Sequence, residues 1–559
     1  MKFRKMTAAM LMAAMALSLT ACGSKDGAKE STGTAAAGET GQSSPESEAG
    51  EKTVTLTEIW DFSAGFYPVM TASEASNYGS IYWTRNFYNT LVCYDDNGEI
   101  TGELAESWEM SEDGKSYTFH LRDGVKFSDG TDLTSAAVKT SFEAAVQNLG
   151  QFNGSYGKLS TLIADVETPD DLTVVLHLSQ PYYGTLNDLT MTCPMAIVNP
   201  AGLNEDLTVR EDVKTQTVGT GPYMYAGDFS DNTYTFVRNP YYWGEAPEVD
   251  SFKVKVIEDA DARVLALRNG EIDGILGSSR LTYDAYNELS GDDSFGTAVD
   301  DAACMTRYLG LNLSKAPFDD VKVRQAVAYA VDTEGLCSSV FQGIEEPAEA
   351  IFEKGKPYCD VDTFVYDFDV DKANLLMDEA GWIDSDGDGI REKDGQKLEY
   401  TMTYTSDHGT LDDAALAIAS QLEKIGFKIT TSGSDMMTWY GTVLGGDYEI
   451  TIYQTYGGTF DPSAIVTNMN PDTSTDPVAM QFAGFFEGGN ALILELDSTP
   501  DEERVQEIYS EILNTIADEA LVVPISYTKE FAAWNSGVIE NYTFYPDNLY
   551  VVVSNIDVK

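Results

Sequence analysis

From Val54 onward the chain alternates short strand-like runs with amphipathic helical ones. That alternation restricts it to an α/β protein of open sheets. "SYTFHL" (116–121) puts Tyr117, Phe119 and Leu121 on one strand face, and "FKVKV" (252–256) does the same with Phe252, Val254 and Val256. Val323, Ala326, Val327, Ala330 and Val331 follow the spacing of a buried helical stripe. Ala373, Leu376, Met377 and Ala380 repeat it, with Gly381 as the stop, and Ile418, Leu422 and Ile425 do so ahead of Gly426. A last stripe, Val505, Ile508, Ile512 and Ile516, is expected to start from a Thr499 cap with Pro500 in the first turn. No internal repeat interrupts the pattern, and 559 residues suffice for two or three domains with cores of their own.

The N-terminus sets the compartment. "MKFRK" is cationic, and "MTAAMLMAAMALSL" is apolar but too short for a stable membrane span. It ends in "LTAC", and Leu19, Thr20, Ala21 and Cys22 resemble a bacterial lipobox, in which the cysteine is lipidated and becomes the new N-terminus. Residues 1–21 are therefore expected to be a signal peptide, and 22–52 a lipidated, disordered tether. The tract "GSKDGAKESTGTAAAGETGQSSPESEAGEK" has almost no apolar residues to hold a fold.

A net charge of -56, from 35 basic and 91 acidic residues, repels phosphate backbones and anionic lipid heads. Nucleic-acid binding is excluded on that ground, and the lipid is the only expected membrane contact. Cys93, Cys193, Cys304, Cys337 and Cys359 fit no zinc spacing. They read as small buried hydrophobes, with a Cys337–Cys359 bridge left open. Three histidines, His120, His177 and His408, are too few for most hydrolytic centres, and no GxSxG, HExxH or P-loop occurs. No cofactor is expected. Asp384, Asp386, Asp388 and Gly389 begin like a calcium loop, but position twelve is Gly395 and Ile390 comes one place early. A solvated acidic hairpin and a structural calcium are the two readings of that stretch.

At "AESWEMSEDGKSYTFHLRDGVKFSDGTDLTSAAVKTSFE" (105–143) the chain resembles the family 5 solute-binding proteins of bacterial ABC importers, which carry oligopeptides, dipeptides or nickel chelates. The resemblance continues through "VGTGPYMY" (218–225), "FVRNPYYWGEAPEVDSFKVKVIEDADARVLALRNGEIDG" (236–274), "LGLNLSKAPFDDVKVRQAVAYAVD" (309–332) and "DEALVVPISY" (518–527). It covers nearly everything after the tether and is closest in motif to the nickel-binding branch. The motifs themselves read as structural. Asp-Gly pairs at 113–114, 123–124 and 129–130 are turns, and Gly221 is expected to reverse the chain ahead of Pro222.

The resemblance implies a two-lobed periplasmic-binding-protein fold with a hinge and a ligand cleft between the lobes. Residues 53–88, 209–308 and 524–559 would form lobe 1, with 89–208 inserted in it as a subdomain, and 309–523 would form lobe 2. It implies a monomeric, non-enzymatic receptor on the extracellular face of the membrane. The receptor would deliver a small molecule or short peptide to an importer's permease and ATPase. A ligand sensor uncoupled from transport and a surface hydrolase are the alternatives.

"IYQTYGGTFDP" (452–462) is aromatic and nearly neutral in a strongly acidic chain. In the peptide carriers the matching loop holds an aspartate that pairs with the ligand's ammonium, and Gly458 stands in its place here. Asp461 lies next to Pro462 and does not inherit the role. The nickel branch has a metal-binding histidine where Tyr453 stands and an arginine where Cys193 falls. A neutral phenol, with a pKa of about 10, is a poor nickel ligand near pH 7. With both polar anchors replaced, Tyr453, Gln454, Tyr456 and Tyr440, joined by Tyr156 and Tyr78, are the candidate ligand wall. Tyr453, ending the "YEITIYQ" strand, is the first of them.

Removal of residues 1–21 together with substitution of Cys22 by serine should free the protein from the membrane fraction without altering ligand affinity, because a disordered tether is expected to transmit nothing to the fold. Cell fractionation with calorimetry on the released protein checks this, and a Cys22→Ser chain that stays membrane-bound would refute lipid anchoring.

Overall fold

A computed structural model describes residues 51–68, 78–149, 157–406, 410–456, 462–547 and 550–559. The expected signal peptide (1–21) and nearly all of the expected tether (22–52), with Tyr156, His408, Gly458 and Asp461, lie outside the described residues.

An 11-stranded mixed sheet forms the frame. Along its length run 428–434, 399–405, 450–454, 295–311, 522–535, 274–276, 53–58, 251–256, 233–238 and 223–230. One half is built on parallel pairs, with 399–405 flanked by 428–434 and 450–454. The other half centres on 53–58, which pairs in parallel with both 251–256 and 274–276. Two long antiparallel strands, Phe295–Leu311 and Val522–Asn535, run through the middle and belong to both halves. Their register slips three times, between Val299 and Ala303, Ala303 and Thr306, and Arg307 and Tyr308. Such irregularities bend strands and raise local twist, so one sheet can turn into two differently oriented halves.

Each half has its own core. Tyr308, Val327, Ile418, Ile450, Ile508 and their neighbours fill one, and Val54, Phe66, Phe87, Phe236, Phe252 and Trp534 fill the other. A four-stranded antiparallel sheet, ordered 105–110, 116–121, 173–178 and 163–170, carries a third core around Phe119, Phe142 and Leu176. All of it joins Glu51–Lys559 into one compact unit. Among the described residues no helix is long and apolar enough to cross a membrane.

The expected stripes are buried, except that Leu376 is only half-buried. Val323, Ala326 and Val327 face inward on Val321–Ala330, and Ile508, Ile512 and Ile516 on Glu502–Asp518. Gly381 (φ +84°) and Gly426 (φ +87°) take the left-handed conformation expected of helix stops. Gly114, Gly124 and Gly130 also have positive φ, as their turns require. Two details differ. The last helix is capped by Asp501, whose carboxylate accepts from the Glu503 and Arg504 amides, instead of Thr499. Gly221 reverses nothing by a positive φ. Its amide donates to the Phe87 carbonyl at 2.9 Å, and a Cβ there would lie 2.6 Å from the Phe87 carbonyl carbon. The glycine serves close backbone approach between 219–221 and 86–87. None of the described cysteines forms a disulfide, so Cys337 and Cys359 are not bridged to one another.

Gly221→Ala should cost about 1–3 kcal/mol of unfolding free energy, since the clash is with backbone that cannot swing away. Denaturant titration checks it, and a variant as stable as wild type would show that the contact is loose.

Candidate functional site

The halves meet at a cavity of about 530 Å³. Its walls come from the carboxyl ends of strands: Ile59 follows 53–58, Gly277 and Ser278 follow 274–276, and Gln454 ends 450–454. In open α/β sheets this end collects ligands, because loops diverge there and leave a crevice. Cys304, Met305 and Arg307 from one long strand, and Thr528 and Glu530 from the other, form the floor. The cavity therefore sits on the strands that both halves share.

Its charged groups are held in pairs. Arg280 donates to the Glu58 carboxylate at 2.5 and 2.9 Å, both side chains being buried. Trp83 Nε1 donates to the same carboxylate at 2.8 Å, and the Arg280 guanidinium lies 4.9 Å from the centre of the Tyr82 ring. Arg307 bonds Glu345 at 2.9 Å, and the Tyr283 and Ser526 hydroxyls add to that carboxylate. Glu530 is different. Its oxygens accept the Ser278 amide (2.6 Å) and hydroxyl (2.7 Å), and burial raises its carboxyl pKa.

The six expected wall residues divide. Gln454 lines the cavity, with Nε2 3.3 Å from the Met305 sulfur. Tyr453 is only 7% exposed and lies in the core of its half, its ring 5.7 Å from Tyr308 and 5.3 Å from Trp439. Side chains alternate along a strand, so Gln454 facing the cavity puts Tyr453 on the opposite face. Tyr456 donates to Asp476 at 2.9 Å, and the Tyr440 hydroxyl donates to the Thr475 carbonyl at 3.1 Å. Asp476 is 1% exposed, and its other oxygen accepts the Val478 and Ala479 amides. Three of the tyrosines thus gather around a buried, helix-capping aspartate. Burial raises the phenol pKa of Tyr453, which works further against phenolate coordination of a metal. Tyr78 opens a short helix, Tyr78–Ile81. Cys193 is buried, its thiol pushed up to about 12 by burial, and it does not line the cavity.

Glu530, Arg280 and Arg307 were not singled out from sequence. The available signal was charge inside apolar strands: Glu530 interrupts "VVPISYTKEFAAW" and Arg307 interrupts "CMTRYLGL". Asp384, Asp386 and Asp388 do cluster, with ligand oxygens within 4.8 Å of one another, and all are exposed. The Lys397 ammonium bonds both Asp386 and Asp388, supplying positive charge on the spot.

A two-lobed α/β frame with a cavity on the shared strands, and charges arranged to be held apart from water, defines a ligand-binding protein of the periplasmic-binding type. Residues 99–476 match the family described as bacterial extracellular solute-binding proteins, family 5 Middle, and the chain belongs to that family. It is 30% identical over 441 residues to the nickel-binding periplasmic protein of Escherichia coli (strain K12), covering 79% of this chain and 83% of that one. It is 25% identical over 505 residues to the oligopeptide-binding protein AppA of Bacillus subtilis (strain 168), covering 86% and 89%. Among solved structures, NikA from Brucella suis in complex with Fe(III)-EDTA superposes with a TM-score of 0.81 at 28% identity, over 91% of this chain and all of that one. The family is one of binding proteins, not enzymes.

Tyr453→Ala should destabilise the ligand-free protein by about 3–5 kcal/mol, as loss of a buried ring does, while Gln454→Ala should leave its melting unchanged. Thermal denaturation of both variants checks the assignment. A Tyr453→Ala protein that melts like wild type would place the ring in the cleft instead.

Proposed function

We propose that the chain is a lipid-anchored receptor of an ABC importer, tethered through Cys22. It captures a short peptide, a metal chelate or a related small molecule between its lobes and hands it to the permease. In this reading 53–88, 209–308 and 524–559 form lobe 1, 89–208 is its inserted subdomain, and 309–523 is lobe 2. Binding is lobe closure about the two long strands.

The observation that carries the reading is a set of contacts between the inserted subdomain and lobe 2, away from those strands. Lys158 forms an ion pair with Asp497, and Gln180 donates to the Asp497 carbonyl at 3.0 Å. The Tyr183 and Tyr509 hydroxyls bond at 2.9 Å, and Tyr182 meets Ser463 at 3.3 Å. They hold the inserted subdomain against lobe 2 at a place separate from the shared strands, as a closed receptor must. The contacts combine these polar pairs with edge-on packing of the Tyr183 ring against Tyr358 and Tyr509, a mixed character that suits a reversible interface. The ligands for which these relatives are named, nickel and oligopeptides, set the range of cargo. The direct test is small-angle scattering on the tether-free protein with ligands that raise its melting temperature. Compaction with stoichiometric, unchanged ligand supports the receptor, while turnover of the ligand supports a hydrolase.

Asp497 is buried, and Lys158 opposes the upward shift that burial imposes on its carboxyl. Without Lys158, closure would leave that carboxylate unpaired, so Lys158→Ala should favour the open form. A buried charged hydrogen bond contributes about 1.5–3 kcal/mol, so affinity should fall roughly tenfold or more with little change in ligand-free melting. Unchanged affinity with earlier melting would make the pair a static domain contact.

A further inference from the structure

The charges of the cavity can be accounted for one by one. Glu58 is matched by Arg280 and Glu345 by Arg307. Arg263 is spent on backbone carbonyls, those of Arg280 (2.7 Å), Ile257 (2.7 Å) and Glu258 (2.9 Å). The Lys529 ammonium turns to the Asp301 carbonyl and lies 3.5 Å from Glu346. Glu530 remains. It is a carboxylate on the floor, bonded by two neutral donors from Ser278, and among the described residues no ion pair reaches it.

The space beside it is kept open. Gly277 has φ +102°, and a Cβ there would lie 2.7 Å from Arg280 Nη1 and 3.2 Å from Glu530 Oε2. A side chain at 277 would fill the gap between the guanidinium and the carboxylate. Tyr542, Phe544 and Tyr550 line the same cavity. The Arg280 guanidinium across that gap offsets part of the Glu530 charge, and aromatic rings with a carboxylate bonded only by neutral donors still attract an organic cation. Removing a carboxylate from water without a directly paired countercharge is costly, and a cation brought by the ligand offsets that cost.

We propose that Glu530 is the recognition carboxylate for a cationic nitrogen on the captured ligand, so the preferred cargo carries a free ammonium. The proposal rests on the cavity being the ligand site. It places that recognition on a strand that both halves share. It also disfavours polycarboxylate chelates, which would bring negative charge against Glu530.

The test offers three probes to the tether-free protein: a dipeptide library with free amino termini, the same library N-acetylated, and Fe(III)-EDTA. Native mass spectrometry reads what is retained, and calorimetry gives the affinity. Wild type should retain members of the free-amine library and not their acetylated forms. Glu530→Gln, which keeps size and the Ser278 contact, should bind them at least tenfold more weakly, and Glu530→Asp should recover part of the loss. Equal affinity in wild type and Glu530→Gln would overturn the proposal. So would preference for the acetylated library or for Fe(III)-EDTA, though compaction with either would leave the receptor reading standing. Retention of none of the three, with no compaction, would count against both Glu530 and the cavity as the ligand site.

Discussion

The pairing of Phe295–Leu311 with Val522–Asn535 is the constraint on which the molecule depends. These strands join two half-sheets whose other strands, among the described residues, do not pair across the middle, and their irregular register falls between Val299 and Tyr308. A perfectly regular ladder there would make one stiff sheet. Broken pairing lowers the resistance to bending at that place while the flanking ladders hold each half together. Cys304, Met305 and Arg307 lie in the irregular segment, and all three line the cavity. The place where the frame can bend is therefore also the place where it can sense a ligand.

Electrostatics follow from the same geometry. An exterior with a net charge of -56 pushes like charges into solvent, where screening weakens them. Inside the cavity that relief is lost, and each charge needs a local partner. The Glu58–Arg280 and Glu345–Arg307 pairs meet that need and tie neighbouring elements together, Glu58 at the end of 53–58 to the loop after 274–276, and Arg307 of the long strand to the segment before Glu346. Breaking one partner of such a pair leaves a buried charge alone, which is why these side chains form a rigid floor instead of freely mobile contacts.

Much of this was legible in the sequence because local rules agree with the fold. The inward stripes of 321–330 and 502–518, the left-handed Gly381 and Gly426, and the Asp-Gly turns need no long-range information. What was not legible depends on partners far along the chain. Gly221 serves a backbone 134 residues away from it, at Phe87. Thr499 and Asp501 are both good caps, and only the geometry shows which one meets the free amides. Tyr453 and Gln454 are adjacent, so exactly one can face the cavity, and the strand's own composition does not say which. The aromatic character of the loop read as a ligand wall, yet its Tyr453 and Tyr456, with Tyr440 from the helix 436–444, gather around Asp476, whose segment lies 20 residues downstream of Tyr456.

The position of an anchor decides what its ligand can move. A carboxylate on a loop can follow the ligand without involving the rest of the lobe. Glu530 cannot, because its strand pairs with Phe295–Leu311 on one side and with Gly274–Leu276 on another, and its carboxylate is fixed by Ser278 just beyond that strand. A ligand seated on Glu530 would thus be fixed to lobe 1 and to the bend at once, while Gln454 meets it from lobe 2. A ligand can shift an equilibrium only by as much as it binds one state better than the other. Contacts split between the bend and the far lobe exist together only when the lobes are shut, so such an arrangement turns recognition into closure with no separate relay.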